Sequence, residues 1–189
     1  MAIMNCIPAE ASHGQRVAVL AAEVAALFET YSKPGGSLTG TDLLLVQNMS
    51  SPQCWDAALY CAWAAKGVEC DDVTVNGSRN YSVTTAQNYT RIFGTNPKTA
   101  SSIAELMNMP PGCFVGFVDR TTLALKHCML HIANGHGAGN KSGCVLRDAN
   151  PSGFGWERLD MAKFFTADAD LNANANTKII YQACRGQKI

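Results

Sequence analysis

A cysteine at the predicted start of a helix is the residue of this sequence with the clearest chemical potential. Cys54 follows the run SSPQ and precedes an alanine-rich stretch that ends at Gly67. Serine and proline suit the first turn of a helix. Serine oxygens accept hydrogen bonds from the backbone N–H groups of that turn, and proline has no backbone N–H that would need a partner there. The positive end of the helix dipole lowers the pKa of a thiol, which favours a catalytic thiolate. The alternative is a buried cysteine that acts as a small apolar residue.

Three histidines in the segment LKHCMLHIANGHG are candidate bases for this thiol. Strand alternation places His127, Met129 and His131 on one side of a sheet. If that side meets the Cys54 helix, one of these imidazoles touches the thiol. We select His127 because it stands at the strand start, with His131 as the alternative base. Either residue can instead be an ordinary surface or core histidine.

Two polar residues further along the chain can orient the base. Asp148 and Asn150 lie near the end of the run CVLRDAN, which we predict to be the neighbouring strand. A carboxylate or amide bonded to an imidazole holds it in the productive tautomer. The same residue types before Pro-Ser-Gly also favour a turn. The sequence order is therefore a cysteine at a helix start, a histidine at a strand start and an aspartate or asparagine at a strand end.

The elements that must position these residues follow from the apolar pattern. Residues 15–32 predict a core helix, and residues 38–52 predict a loop before the Cys54 helix. Two short helices are predicted over 83–94 and 98–109. From 113 onward the pattern predicts strands over 113–119, 124–134, 144–150 and 177–184, a glycine-rich hairpin loop over 135–143 and a helix over 156–166. Helices first and antiparallel strands second predict an α+β fold, a helical lobe with the nucleophile packed on a small sheet.

The composition of the chain indicates its domain number, its partners and the redox state of its thiols. The 189 residues suit a single domain over 1–189, and Lys plus Arg and Asp plus Glu each number 15, so a nucleic-acid partner is not expected. Eight cysteines occur without a CxxC pair, which favours reduced thiols. The start of the sequence lacks the pattern of a secretory signal, and no apolar run is long enough to span a membrane.

The motifs resemble those of the papain-like cysteine hydrolases, in which cysteine, histidine and asparagine or aspartate follow in this order. QCWDAALYCAW is similar to their nucleophile helix, and LRDANPSGFGW resembles the stretch around the catalytic aspartate of YopT-like effector proteases and related toxin deamidase domains. The resemblance implies a papain-like fold with Cys54 as nucleophile, His127 as base and Asp148 as orienting acid, with Asn150 in reserve. It also implies an oxyanion donor from a residue before the nucleophile, for which the candidates are Gln47, Asn48 and Gln53.

The resemblance implies an effector-like or toxin-like enzyme that acts on amide bonds of a protein substrate, as a protease or a Gln/Asn deamidase. We expect a monomer without metal or cofactor, made in the bacterial cytoplasm and secreted into a host or target cell. One alternative is a peptidoglycan amidase or endopeptidase with the same triad. Another is a non-enzymatic interaction module that holds zinc through residues such as Cys113, Cys128, Cys144 and the three histidines.

Overall fold

The structure, a computed structural model, describes residues 6–31, 38–49, 54–71, 85–140, 156–165 and 177–189. The helices are α1 (His13–Tyr31), α2 (Gly40–Met49), α3 (Cys54–Ala64), α4 (Thr85–Phe93) and α5 (Ile103–Met107). The strands are β1 (Lys98–Ala100), β2 (Phe114–Asp119), β3 (Leu125–Ala133), β4 (His136–Asn140), β5 (Trp156–Asp160) and β6 (Thr177–Gln182). A 3-10 helix over Met161–Phe165 follows β5 directly.

The strands form one antiparallel sheet in the order β1-β6-β2-β3-β4-β5. β6 thus lies between β1 and β2, although it comes last of the six along the chain. Mixed helices and an antiparallel sheet confirm the predicted α+β class. The predicted core helix and the strands corresponding to β2, β3 and β6 are also confirmed.

One side of the sheet, which we call the helical face, is covered by α1 to α4. α1 buries Val17, Leu20, Ala21 and Val24 at helical spacing against this face. α3 is buried over most of its surface, because its alanines and Cys61 are small enough for close packing between the sheet and its neighbouring helices. The Trp156 indole N–H donates to the carbonyl of Ala21 at 2.8 Å, which fixes β5 to α1. This face therefore holds the larger apolar core.

The other side, which we call the opposite face, is covered by α5 and the 3-10 helix. Its core contains Phe117 of β2, Met129 of β3 and Phe164 of the 3-10 helix, all fully buried. The rings of Phe117 and Phe164 lie 4.3 Å apart between centroids, tilted by 52°. The sheet is thus buried on both faces, and alternation along each strand decides which core a side chain joins.

The predicted loop over 135–143 is wrong in its first part, because residues His136–Asn140 form β4. The glycines that suggested a loop instead make room for a side chain from β3. A Cβ on Gly137 would lie 2.5 Å from the sulfur of Met129, and one on Gly139 would lie 2.7 Å from the Cβ of Met129. Two alternate glycines therefore form a slot that Met129 fills on the opposite face.

Three other predicted elements differ from the structure. The predicted loop over 38–52 contains α2, a helix that packs on α1 and α3. The predicted helix over 98–109 is divided into β1 and α5, and Ser102 caps α5 by accepting from the Glu105 N–H. The predicted helix over 156–166 is β5 followed by the 3-10 helix, because residues Trp156–Asp160 pair with β4 along its length. The predicted strand over 144–150 lies outside the described residues.

Candidate functional site

Cys54 lies in α3, directly after residues 50–53 that the structure does not describe, and it is 9 % exposed. α3 packs on β3 and β4 of the helical face, and Cys54 lies near Cys128 of β3. Backbone N–H groups in the first turn of a helix have no partner within that helix, and they favour negative charge. The sequence predicts such a first turn at Cys54, and its activation of the thiol stays a prediction.

Cys128 of β3 is a second thiol on the helical face, close enough to Cys54 for their charges to interact. Burial raises the pKa of Cys128 well above its usual value, and repulsion from Cys54 and Cys184 raises it further. Burial and the charge of Cys184 have the same effect on the pKa of Cys61 in α3. Cys61 and Cys128 therefore stay protonated and act as small apolar residues.

His127 belongs to the core of the opposite face. Its ring lies 6.1 Å from that of Phe117 between centroids, and its side chain is 1 % exposed. Within the described parts of the chain, its Nε2 has no hydrogen-bond partner. Burial lowers the pKa of His127 from 6.5 to about 3, because a charged imidazole has lost its water here. His127 is thus a neutral, apolar-packed ring at ordinary pH.

The predicted pairing of Cys54 with His127 is wrong, because the sheet separates the two side chains. α3 packs on the face that carries Cys128 and Leu130, whereas His127 and Met129 point to the opposite face. The alternation that grouped the histidines is confirmed. The condition for the pairing, that this side of β3 meets the Cys54 helix, is not met.

The remaining histidines of the segment also have other surroundings. His131 is buried, and its Nδ1 lies 3.0 Å from the carbonyl of Pro110. Burial lowers the pKa of His131, although the bond to Pro110 opposes this effect. His136 lies at the start of β4, with Nδ1 3.1 Å from the carbonyl of Asn134. The structure therefore gives His131 the role of a buried strand residue tied to the turn before β2.

The predicted oxyanion donors and orienting residues are placed only in part. Gln47 lies on α2 with an exposed side chain, and Asn48 follows it in the same helix. Gln53, Asp148 and Asn150 lie outside the described residues. Of these residues, the described part of the chain therefore places Gln47 and Asn48, on α2 beside α3.

Sequence reasoning missed Asn140, a polar side chain that is 2 % exposed at the end of β4. It is opposite Trp156 in β5, and it shares a face with Ala138, which belongs to the helical core. Extending the β3–β4 register from the Leu130–Ala138 pair places Asn140 across from Cys128. The segment had been interpreted as a loop because of its glycines. The alternation of glycine with Ala138 and Asn140 was the signal for a strand.

The zinc alternative receives no support from the described residues, which contain no group of three or more His, Cys, Asp or Glu side chains able to hold a metal ion. Cys144 lies outside them. In the same parts of the chain, the helices are all too short or too polar to cross a bilayer.

Comparisons with known proteins were made with family models, curated sequences and solved structures. None of the three found a match to this chain. The functional argument therefore rests on the residues and their geometry.

Proposed function

We propose that this chain is a cysteine hydrolase that acts on amide bonds of a protein substrate, with Cys54 as its nucleophile. The observation that carries the proposal is the place of Cys54 in α3, on the helical face near Cys128 of β3. The resemblance of its flanking sequence to the nucleophile helix of papain-like enzymes supports it. The papain-like fold and the effector-like setting, with secretion from a bacterium into a host or target cell, belong to the same proposal.

The proposed reaction uses the start of α3 in two ways. Cys54 attacks the amide carbonyl as a thiolate, after its proton has passed to water, and a thioester forms. Backbone N–H groups at the helix start, which the sequence predicts at Cys54, donate to the oxygen that gains the charge. The amide nitrogen leaves with a proton from water, and a second water hydrolyses the thioester. His127 has no role in this scheme, since it lies on the opposite face.

The test is intact-mass analysis of candidate host proteins incubated with the wild-type chain. A gain of about one dalton at Gln or Asn indicates deamidation, and new termini indicate proteolysis, both through the same thiolate chemistry. Cys54→Ala should abolish either change. If neither change occurs while muropeptides are cut, the substrate is peptidoglycan and the protein-substrate proposal is wrong.

Cys61→Ala is the matched control, because Cys61 is a buried thiol two turns further along α3. It should retain activity in proportion to the folded fraction. His127→Leu tests the placement of His127 on the opposite face of the sheet from Cys54. This variant should also retain its activity per folded molecule. A folded but inactive His127→Leu would show that the working form of the protein presents His127 to the thiol, contrary to our assignment.

A further inference from the structure

A cavity lies beyond the carboxyl end of α3, away from Cys54. Its volume is about 630 Å³. Its walls come from the start of α1, the end of α3 with the turn that follows, and the segment after β6; among the lining residues are His13, Trp63, Lys66, Glu69, Cys70 and Arg185. This cavity takes no part in the function proposed for Cys54, and it contains a thiol of its own.

The thiol in this cavity has a cationic partner. The Arg91 guanidinium, at the end of α4, donates from Nη2 to the Sγ of Cys70 at 3.1 Å. An arginine is always charged, and hydrogen bonds from a cation favour a thiolate over a thiol. Cys70 is only 6 % exposed, but it lines the open cavity. It therefore differs from Cys61 and Cys128, which are fully buried.

The charges around the cavity favour an anionic ligand. Lys66 and Arg185 line it together with the carboxylates of Glu69 and Asp71. The Lys188 ammonium lies 2.6 Å from Asp71, so that carboxylate is already neutralised by an ion pair. Arg91, bonded to the Cys70 sulfur, adds a further cation, and among the described residues the cationic side chains outnumber the carboxylates. A small molecule that carries carboxylates would thus be attracted toward the sulfur.

We propose that this cavity is a second thiol site, at which Cys70 reacts with small disulfides that carry carboxylate groups. The Cys70 thiolate attacks one sulfur of the disulfide, and a new S–S bond forms as the old one breaks. The other half of the molecule leaves as a thiolate with the bonding electron pair. The small disulfide is the oxidant, and Cys70 ends as a mixed disulfide that any excess of free thiol reverses.

The experiment compares two disulfides on the folded full chain in a Cys54→Ala background, where the proposed hydrolase is silent. One is dianionic dithiobis(nitrobenzoate), and the other is neutral dithiodipyridine. Peptide mass mapping identifies the modified cysteines. Cys70 and the exposed Cys6 should be modified, whereas Cys61 and Cys128 should not react until the chain unfolds.

Two variants separate the charge of the cavity from the activation of the sulfur. Arg185→Gln changes an exposed residue, so it should leave the fold intact and slow the anionic reagent at Cys70 several-fold without slowing the neutral one. Arg91→Gln should slow both reagents at Cys70 several-fold, because the sulfur loses its hydrogen bond from a cation. Thermal unfolding checks that each variant is folded. The proposal is overturned if Cys70 reacts only after unfolding, or if Arg185→Gln affects the two reagents equally.

Discussion

The two faces of the sheet carry different chemistry on the same strands. On β3, Cys128 points to the helical face beneath α3, and its neighbour His127 points to the opposite face among aromatic rings. The thiols near the start of α3 and the imidazole proposed as their base are therefore separated by the thickness of the sheet. Strand alternation thus predicts which side chains of β3 share a side of the sheet, but it does not show which side faces the Cys54 helix.

The largest expected effect comes from truncating each core in turn. Phe164→Ala should lower the free energy of unfolding by about 3–5 kcal/mol, because Phe164 is fully buried against Phe117. Leu20→Ala, in the core of the helical face, should cost about 2–5 kcal/mol for the same reason. Urea unfolding measures both.

The pKa of His127 in these two variants shows whether the two cores are independent. Phe164→Ala opens space near the rings around His127, so the pKa of His127 should rise toward its usual value. Leu20→Ala should leave that pKa unchanged, because Leu20 belongs to the other core. NMR titration of the His127 ring gives the answer. An equal shift in both variants would mean that the two cores are not independent.

Low pH is expected to destabilise the folded chain through His127, in the core of the opposite face. His127 has a pKa of about 3 when folded against 6.5 unfolded, so between these values the unfolded chain binds a proton that the folded chain does not. The free energy of unfolding should therefore fall as the pH falls below about 6.5, by about 3 kcal/mol at about pH 4. Urea titrations at several pH values measure the slope.

His127→Leu is the control for this acid effect, since leucine fills similar space without a titrating group. The variant should lose most of the pH dependence of the free energy of unfolding, because leucine does not titrate. The part that remains is expected from His131, whose pKa is also lowered by burial. A slope identical to that of the wild type would show that His127 is not the group responsible.

The glycine slot of β4 provides a smaller test on the opposite face. Gly139→Ala should cost about 1–3 kcal/mol, because the new methyl group would lie 2.7 Å from the Cβ of Met129. Met129→Ala should cost more, but the double variant should be less destabilised than the sum of the two single changes. If the losses in the free energy of unfolding, measured by chemical unfolding, were strictly additive, Met129 would not occupy a slot formed by Gly139.

The smallest expected effect concerns the bond that fixes β5 to α1. Trp156→Phe removes the indole N–H that donates to the Ala21 carbonyl at 2.8 Å on the helical face. The loss should be roughly 1 to 3 kcal/mol, since a buried carbonyl is left without its donor. A thermal unfolding curve that matches the wild type would indicate that water replaces the donor.

Elements with a strong periodic apolar pattern could be predicted from the sequence. Elements whose conformation depends on contacts with distant parts of the chain could not. α1 and β3 have long periodic apolar runs, and both were found. β4 was missed because Gly137 and Gly139 favour a turn locally, while their actual role is to accommodate Met129 from the next strand. No local pattern reveals a partner that lies across the sheet.

The candidate site was predictable to a smaller extent. That Cys54 lies in a helix follows from its neighbours in sequence, and it is confirmed, whereas the start of that helix at Cys54 stays a prediction. Which side of β3 meets that helix depends on how the helices pack on the finished sheet, which alternation alone cannot determine. Asp148 stays a prediction, as does Asn150.

The place of β6 between β1 and β2 has a consequence for how the chain acquires its structure. Until Thr177–Gln182 has been synthesised, β2 has a free edge and β1 lacks its partner in the sheet. Such late, non-local pairing slows folding and leaves strand edges open to pairing with other molecules. A nascent chain that stalls before this segment should therefore depend on chaperones, whereas the completed chain should not.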